Sequence, residues 1–382
     1  MTDTAKPGLL IFYDYFYPAY KAGGPIQSLT NLVLALKDEY NISVITSNHD
    51  LNEVTSLTGI ETNDWSKIQL PGSGSFINIW YAGTAEPTTA TIKKIIRQTS
   101  PSAVYLNGMF SYRFVLLPLI AIKGLKIILC PRGMLQVGAL AGKPVKKKIY
   151  LSILKMSGLI KKITWHATNE DEEADITREF GIHSRIIVAG NIPRKPVLNM
   201  AYPGKQPGKL RLVYLSLISE KKNLLQLIYI ISKLKDGISL DIYGPVKDPA
   251  YWQKCMEAIK SVPGKITYKG DIVPEKVQQV FSEYDASILL TRGENFGHAL
   301  YESLSTGRPV ITSHFTAWNQ LADKKAGWNV NISDDEEIIK LINHISAIGQ
   351  IEYNEYCNGA YHLAYQYYKT GFNIDSYRKL FS

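Results

Sequence analysis

Cysteine is scarce in this chain: three in 382 residues, Cys130, Cys255 and Cys357, far apart and in no Cys-x-x-Cys or metal-ligand spacing. That excludes a disulfide-stapled scaffold and fits a reducing, cytoplasmic compartment. No stretch approaches the roughly 18 uncharged apolar residues of a membrane span. The start, "MTDTAKPGLLIFYDYF", has no basic leading region, and Asp14 breaks its apolar run too early for a signal peptide. There is no Asp-x-Asp motif, no His/Cys cluster, no internal repeat and no low-complexity tract, so no metal site is expected. Acids are outnumbered, 34 to 43, for a net charge of +9. Such a surplus favours an anionic partner. No nucleic-acid-binding motif or interleaved basic-aromatic stretch accompanies it, so nucleic acid is not that partner.

What is present is alternation. Apolar runs at residues 8–13, 42–46, 77–82, 103–107, 126–130 and 163–168 are separated by stretches suited to helices. Runs apolar on both faces are the mark of buried parallel strands. Residues 191–209, "NIPRKPVLNMAYPGKQPGK", rich in Pro, Gly and Lys, then read as a linker. Beyond it the pattern restarts at 210–217, 238–244, 265–270, 286–290 and 309–313. The expectation is α/β, with two Rossmann-like domains: 1–190, and 210–364 after the 191–209 linker. The terminal stretch, about 365–382, is expected to return to the first domain.

The densest chemistry lies in "RGENFGHALYESLSTGRPVITS", residues 292–313. A strand ends before it, and a helix begins near Gly297 or His298. Ligands of open α/β sheets bind at the carboxyl ends of strands, where Glu294 falls. The amides of Phe296, Gly297 and His298 open the helix and suit a phosphate or polyhydroxyl. Glu302, further in, has the chemistry to accept two hydrogen bonds from a vicinal diol. Read alone, the two acids are better taken as solvated residues of an amphipathic helix. In the first half, Gly23 and Gly24 sit between a strand and a helix start, where paired glycines admit a ligand close to the backbone; a plain turn is the other reading.

The Glu294 to Glu302 spacing resembles the Glu, seven residues, Glu motif of the retaining glycosyltransferases of family 4. Further segments resemble the same family in the same order: residues 16–32 its glycine loop, 130–135 ("CPRGML") and 166–176 ("HATNEDEEADI") its polysaccharide and lipopolysaccharide subgroup, 186–193 its "NG" strand end, and 315–328 its "TPW…GW" stretch. The resemblance implies a GT-B fold, two Rossmann-like domains facing each other across a cleft, closing by a hinge in the linker. It implies a metal-independent hexosyl transfer from a nucleoside-diphosphate sugar to a saccharide or lipid-linked acceptor, with no cofactor beyond that co-substrate. By the same resemblance Glu294 meets the donor sugar's hydroxyls and Glu302 the ribose. Gly23, Gly24, Lys222, Gly244, Arg292, Asn295, Phe296, Gly297 and His298 line the rest of the donor site.

One position departs from the pattern. Where the family supplies an arginine for the diphosphate, this chain has Leu217, and leucine cannot make the bidentate phosphate contact of a guanidinium. Arg292, Lys221 and Arg132 are the cations available to replace it. Arg132 also falls where relatives carry a histidine or aspartate near the reacting carbon, and an arginine there is no base. It is expected to steady the leaving diphosphate, to bind an anionic acceptor, or to be structural. His49 and Asn107, at other strand ends, are acceptor-side candidates.

Lys143, Lys146, Lys147, Lys148, Lys155, Lys161 and Lys162 flank apolar residues. Such a segment suits an anionic membrane surface and equally a solvated helix covering a core. Two rivals to transfer stay open on the sequence: an epimerase or hydrolase with the same fold, and a silent sugar-nucleotide-binding subunit, which Leu217 favours.

Overall fold

The computed structural model of the chain describes residues 6–142, 144–182, 184–196 and 204–382. Lys143 of the basic segment and residues 197–203 of the expected linker lie outside them. The chain divides into two units: Met1–Ile192 with Phe372–Ser382, and Pro193–Gly371.

Unit 1 holds an eight-stranded sheet built from β1 (Gly8–Phe12), β2 (Asn41–Ser47), β3 (Trp65–Gln69), β4 (Phe76–Ala82), β5 (Ala103–Asn107), β6 (Lys126–Cys130), β7 (Ile163–Ala167) and β8 (Ile186–Val188). Their spatial order is β3-β4-β2-β1-β5-β6-β7-β8. All pairs are parallel except β3 with β4. The central strands are buried on both faces, as their unbroken apolar runs require. On one face the helix Gly24–Leu36 packs Ile26, Leu29, Leu32 and Val33. The terminal helix Ile374–Phe381 adds Tyr377, Leu380 and Phe381 to that face. The other face is closed by Ile92, Ile95, Phe114, Leu151, Leu154 and Trp165.

Unit 2 holds β9 (Leu210–Leu215), β10 (Ile238–Tyr243), β11 (Ile266–Tyr268), β12 (Ala286–Leu289), β13 (Val310–Ser313) and β14 (Gly327–Val330), all parallel, in the order β11-β10-β9-β12-β13-β14. The chain winds outward from β9 in one direction, then returns to lay β12 on its other side. Beyond β9 and β12 the connections diverge, a switch of the kind at which open α/β sheets bind ligands, at the strands' carboxyl ends. In unit 1 the equivalent switch lies between β1 and β5.

Three strands fall outside the expected apolar runs: β3, the three-residue β8 and β14. β3, "WSKIQ", is an antiparallel edge strand with exposed positions, so it lacks the two-faced apolar signature. β14 is four residues long and begins on Gly327.

Candidate donor site and its surroundings

The loops leaving β9 and β12 are laced together at the switch. The Arg292 amide donates to the Lys221 carbonyl at 2.9 Å, and the Thr291 hydroxyl reaches the same oxygen at 3.3 Å. The Glu294 amide donates to the Phe315 carbonyl at 2.9 Å, tying its loop to the one after β13. With both backbones fixed, the Lys222 ammonium pairs with Glu294 Oε1. Only 15% and 12% of these two side chains remain exposed, so the pair is shielded from bulk screening.

Two further ammoniums lie within electrostatic reach of this pair. Burial pushes the Lys221 ammonium down, and the charges of Lys222 and Lys247 push it further, with Glu294 opposing. Lys247 is lowered by burial and then by Lys222. Lys247 arrives because residues 245–247 are clamped to the β9 loop. Ile218 donates to Pro245 at 3.0 Å and accepts from Lys247 at 3.1 Å, with a parallel bridge from Ile218 to Val246. That clamp sits beside Leu217, the position where the expected arginine is missing. Lys247 carries no motif, and only the backbone pairing reveals that it lies here. Arg292 is exposed and faces Tyr251.

Gly244 ends β10. A Cβ there would stand 1.9 Å from the Ser216 carbonyl oxygen, so glycine is obligatory. Its amide donates to Gly270 at 2.9 Å and its carbonyl accepts from Tyr268 at 3.0 Å. The geometry therefore ties Gly244 to strand packing.

The helix His298–Ser305 starts from Gly297, held at φ 77, a left-handed conformation that suits glycine. Phe296 is buried; its carbonyl accepts from the Trp318 indole at 2.7 Å, and its ring packs with Tyr301, Trp318 and Tyr367. It anchors the helix start through packing. Asn295 and His298 remain half-buried beside it.

Glu302 is buried. Burial raises its pKa; Arg194, with Nε 3.7 Å from Oε1, and a hydrogen bond from Gln278 oppose the shift. Its Oε2 is buried without a hydrogen-bond partner. Arg194 itself donates to the Pro274 carbonyl at 3.0 Å and accepts from the Tyr301 hydroxyl at 2.8 Å.

In unit 1, Gly23 caps the helix Gly24–Leu36 at φ 79. The preceding loop is shaped by Asp50, whose carboxylate accepts from the amides of Tyr20 at 2.8 Å, Lys21 at 3.1 Å and Leu51 at 2.7 Å. His49 is half-buried, with Nδ1 3.0 Å from the Asp50 carbonyl. Arg132, at φ 56, gives Nε to Asn107 at 3.0 Å, Nη1 to Asn191 at 3.1 Å and Nη2 to the Tyr105 hydroxyl at 2.9 Å. Asn107 is buried, its oxygen taken by this arginine. The Tyr105 hydroxyl stands 2.7 Å from His166 Nδ1, and His166 Nε2 is 2.8 Å from the Ala189 carbonyl. A carbonyl only accepts, so Nε2 carries the proton and Tyr105 donates to Nδ1. Burial, reinforced by Arg132, lowers His166 to about 3. This network leaves Arg132 structural in its contacts, and of its expected roles the anchoring one is what the geometry displays.

Buried Glu172 also escaped the sequence reading. It accepts from the Gly133 amide at 2.5 Å, the Thr168 amide at 2.9 Å and the Thr168 hydroxyl at 2.6 Å. The "CPRGML" and "HATNEDEEADI" segments thus meet at one carboxylate.

Comparison places the fold in a known class. Residues 209–347 match the family model described as Glycosyl transferases group 1. HepE of Anabaena, solved with UDP and glucose, superposes with a TM-score of 0.72 at 12% identity, covering 98% of each chain. WaaG, a glycosyltransferase involved in lipopolysaccharide biosynthesis, gives 0.63 at 12% over 95% of each chain. A variant of S. aureus TarM, in complex with fondaparinux, α-GlcNAc-glycerol and UDP, gives 0.67 at 12%, covering 99% of this chain and 100% of its own. No curated protein matches the chain in sequence. The fold is GT-B, two parallel-sheet bodies of Rossmann type.

Proposed function

We propose that the chain is a retaining glycosyltransferase that moves a hexosyl group from a nucleoside-diphosphate sugar to a saccharide or lipid-linked saccharide, in surface polysaccharide assembly. The observation that carries this reading is the gathering of Lys221 and Lys247 beside the Lys222–Glu294 pair at the β9/β12 switch. A diphosphate is the ligand that relieves such crowding of positive charge.

In this reading the lysines and the first amides of the helix His298–Ser305 stabilise negative charge as it grows on the departing diphosphate. Lys222 and Lys247 take the place of the arginine that Leu217 lacks. Glu294 accepts from hydroxyls of the transferred sugar, and Lys222 holds it as the anion. Glu302 offers its unsatisfied oxygen to the ribose. No divalent ion is required, because the ammoniums supply the compensating charge.

For the acceptor side, the helix Pro144–Met156 supports a membrane surface as partner. It buries only Leu151 and Leu154. Val145, Ile149, Ile153 and Met156, at successive turns, are exposed by 69%, 54%, 61% and 85%. Lys146 and Lys148 flank that stripe, while Lys147 donates to the Ala139 carbonyl and Lys155 pairs with Glu179. No helix of the described residues is long and apolar enough to cross a membrane, so contact would be interfacial.

A thermal-shift panel of nucleoside diphosphates and their sugars tests the donor reading, since a ligand of the native state raises the melting temperature. Uridine compounds come first, because HepE and TarM were solved with UDP. One nucleoside diphosphate should stabilise the chain, and its sugar conjugate should do so too. No shift with any of them would refute the reading.

A further inference from the structure

Glu302 keeps an oxygen that nothing satisfies. Buried carboxylates normally spend both oxygens on donors, because an unmet buried acceptor carries its full desolvation cost. Here Oε2 has none, and the carboxylate's partners are Gln278 and a guanidinium at a loose 3.7 Å from Oε1. That guanidinium is Arg194, the second residue of unit 2, on the segment that follows the boundary at Ile192. Arg194 is not loose itself. Its Nη1 is anchored on Pro274, its carbonyl is held by Tyr301, and the Lys195 carbonyl after it accepts from Gln278 at 3.5 Å. The same short segment is therefore stitched to the helix that carries Glu302 and to the one before it.

We infer that Arg194 is a positioning residue of the donor site, holding Glu302 as a carboxylate with one oxygen reserved for a nucleotide's ribose hydroxyls. The inference rests on the donor reading above. Its physical content is a division of labour. A buried acid left alone takes up a proton and loses acceptor capacity. One that is fully ion-paired has no oxygen to spare. A guanidinium fixed a little too far for a tight bond keeps the charge and leaves the lone pairs. The charged and titratable groups facing Glu302 are Arg194 from the connecting segment and Tyr301 from its own helix, with neutral Gln278 from the neighbouring helix. Tyr301 is pushed up and stays neutral, so among the described residues it is Arg194 that supplies the charge.

The test is calorimetric titration with whichever of UDP, GDP, ADP and dTDP binds the unaltered chain most tightly, from about pH 8.5 to about pH 5.5. The unaltered chain should bind with nearly constant affinity down to about pH 6. Arg194→Gln should lose about ten-fold between about pH 8 and pH 6, the slope of one proton per pH unit over part of that range. Arg194→Lys, which keeps the charge but not the guanidinium's second donor to Pro274, should restore the flat profile. Should Arg194→Gln fail to fold, Glu302→Gln gives a second route: weaker binding than the unaltered chain by about ten-fold with no pH slope. An Arg194→Gln profile parallel to that of the unaltered chain overturns the inference while leaving the donor reading intact. So does an Arg194→Lys protein that folds yet keeps the slope, or a Glu302→Gln protein that binds as well as the unaltered chain. Absence of binding by all four nucleotides overturns the donor reading and this one together.

Discussion

The ammonium of Lys222 and the carboxylate of Glu294 are paired across the loops that leave β9 and β12. Each is a ligand group in the proposed site and each fixes the other in the unliganded chain. Removing either therefore strands the other in a largely covered place. Lys222→Ala should cost roughly 1.5–3 kcal/mol of nucleoside diphosphate binding, the worth of a charged hydrogen bond. Glu294→Ala should spare nucleoside diphosphate affinity and lower turnover of the sugar conjugate. Calorimetry and product release measure the two separately, and equal loss of nucleotide affinity in both variants would contradict the division of roles.

Lys247 is predicted to stand in for the missing arginine. Lys247→Ala should weaken donor binding by one to two decades, and Leu217→Arg on that background should return part of it. Arg292→Ala, at an exposed side chain facing Tyr251, should cost less than Lys247→Ala. The reverse order in a binding titration would move the diphosphate toward Arg292.

Glu302→Gln should stabilise the unliganded chain near neutral pH. Burial raises the folded-state pKa above that of the unfolded chain, so the folded state takes up the proton more readily. Stability is then full below the unfolded pKa and declines as pH rises through the folded one. The amide removes that decline. Its gain in melting temperature should appear at about pH 7, at roughly 2–4 °C per kcal/mol for a domain of this size, and vanish near pH 4. A variant less stable at both pH values would show that the carboxylate is a net structural asset.

The helix Pro144–Met156 should bind vesicles containing anionic lipid, and added salt should weaken binding as screening shortens the reach of Lys146 and Lys148. Changing Val145, Ile149 and Ile153 to Ser, all exposed by more than half, should abolish co-sedimentation without lowering the melting temperature. Failure of the unaltered chain to sediment at low salt would leave the helix a solvated cover over Leu151 and Leu154.

Much of the fold was legible because its strands are buried on both faces. β5 and β6 run over Ala103–Asn107 and Lys126–Cys130, where uninterrupted apolar runs mark them. β3 was not, since an edge strand needs only half its residues apolar. Of the candidate site, Glu294, Lys222 and Glu302 were singled out by spacing and resemblance. Their surroundings were not. Lys247 and Arg194 are delivered by pairing with Ile218 and by anchoring on Pro274, contacts between residues about 30 and 80 positions apart. The burial of Asn107 beneath Arg132 was equally hidden, because a residue at a strand end looks the same in sequence whether it faces a ligand or a neighbour.

Transfer itself is the most direct test. Purified protein is given the nucleotide sugar that stabilises it, with saccharide and lipid-linked saccharide acceptors, and nucleoside diphosphate release and the anomeric configuration of the product are followed by NMR. The account predicts release dependent on acceptor, a product with the donor's configuration, and loss of both in Glu294→Ala. Release at the same rate without any acceptor, or a product of inverted configuration, would contradict it.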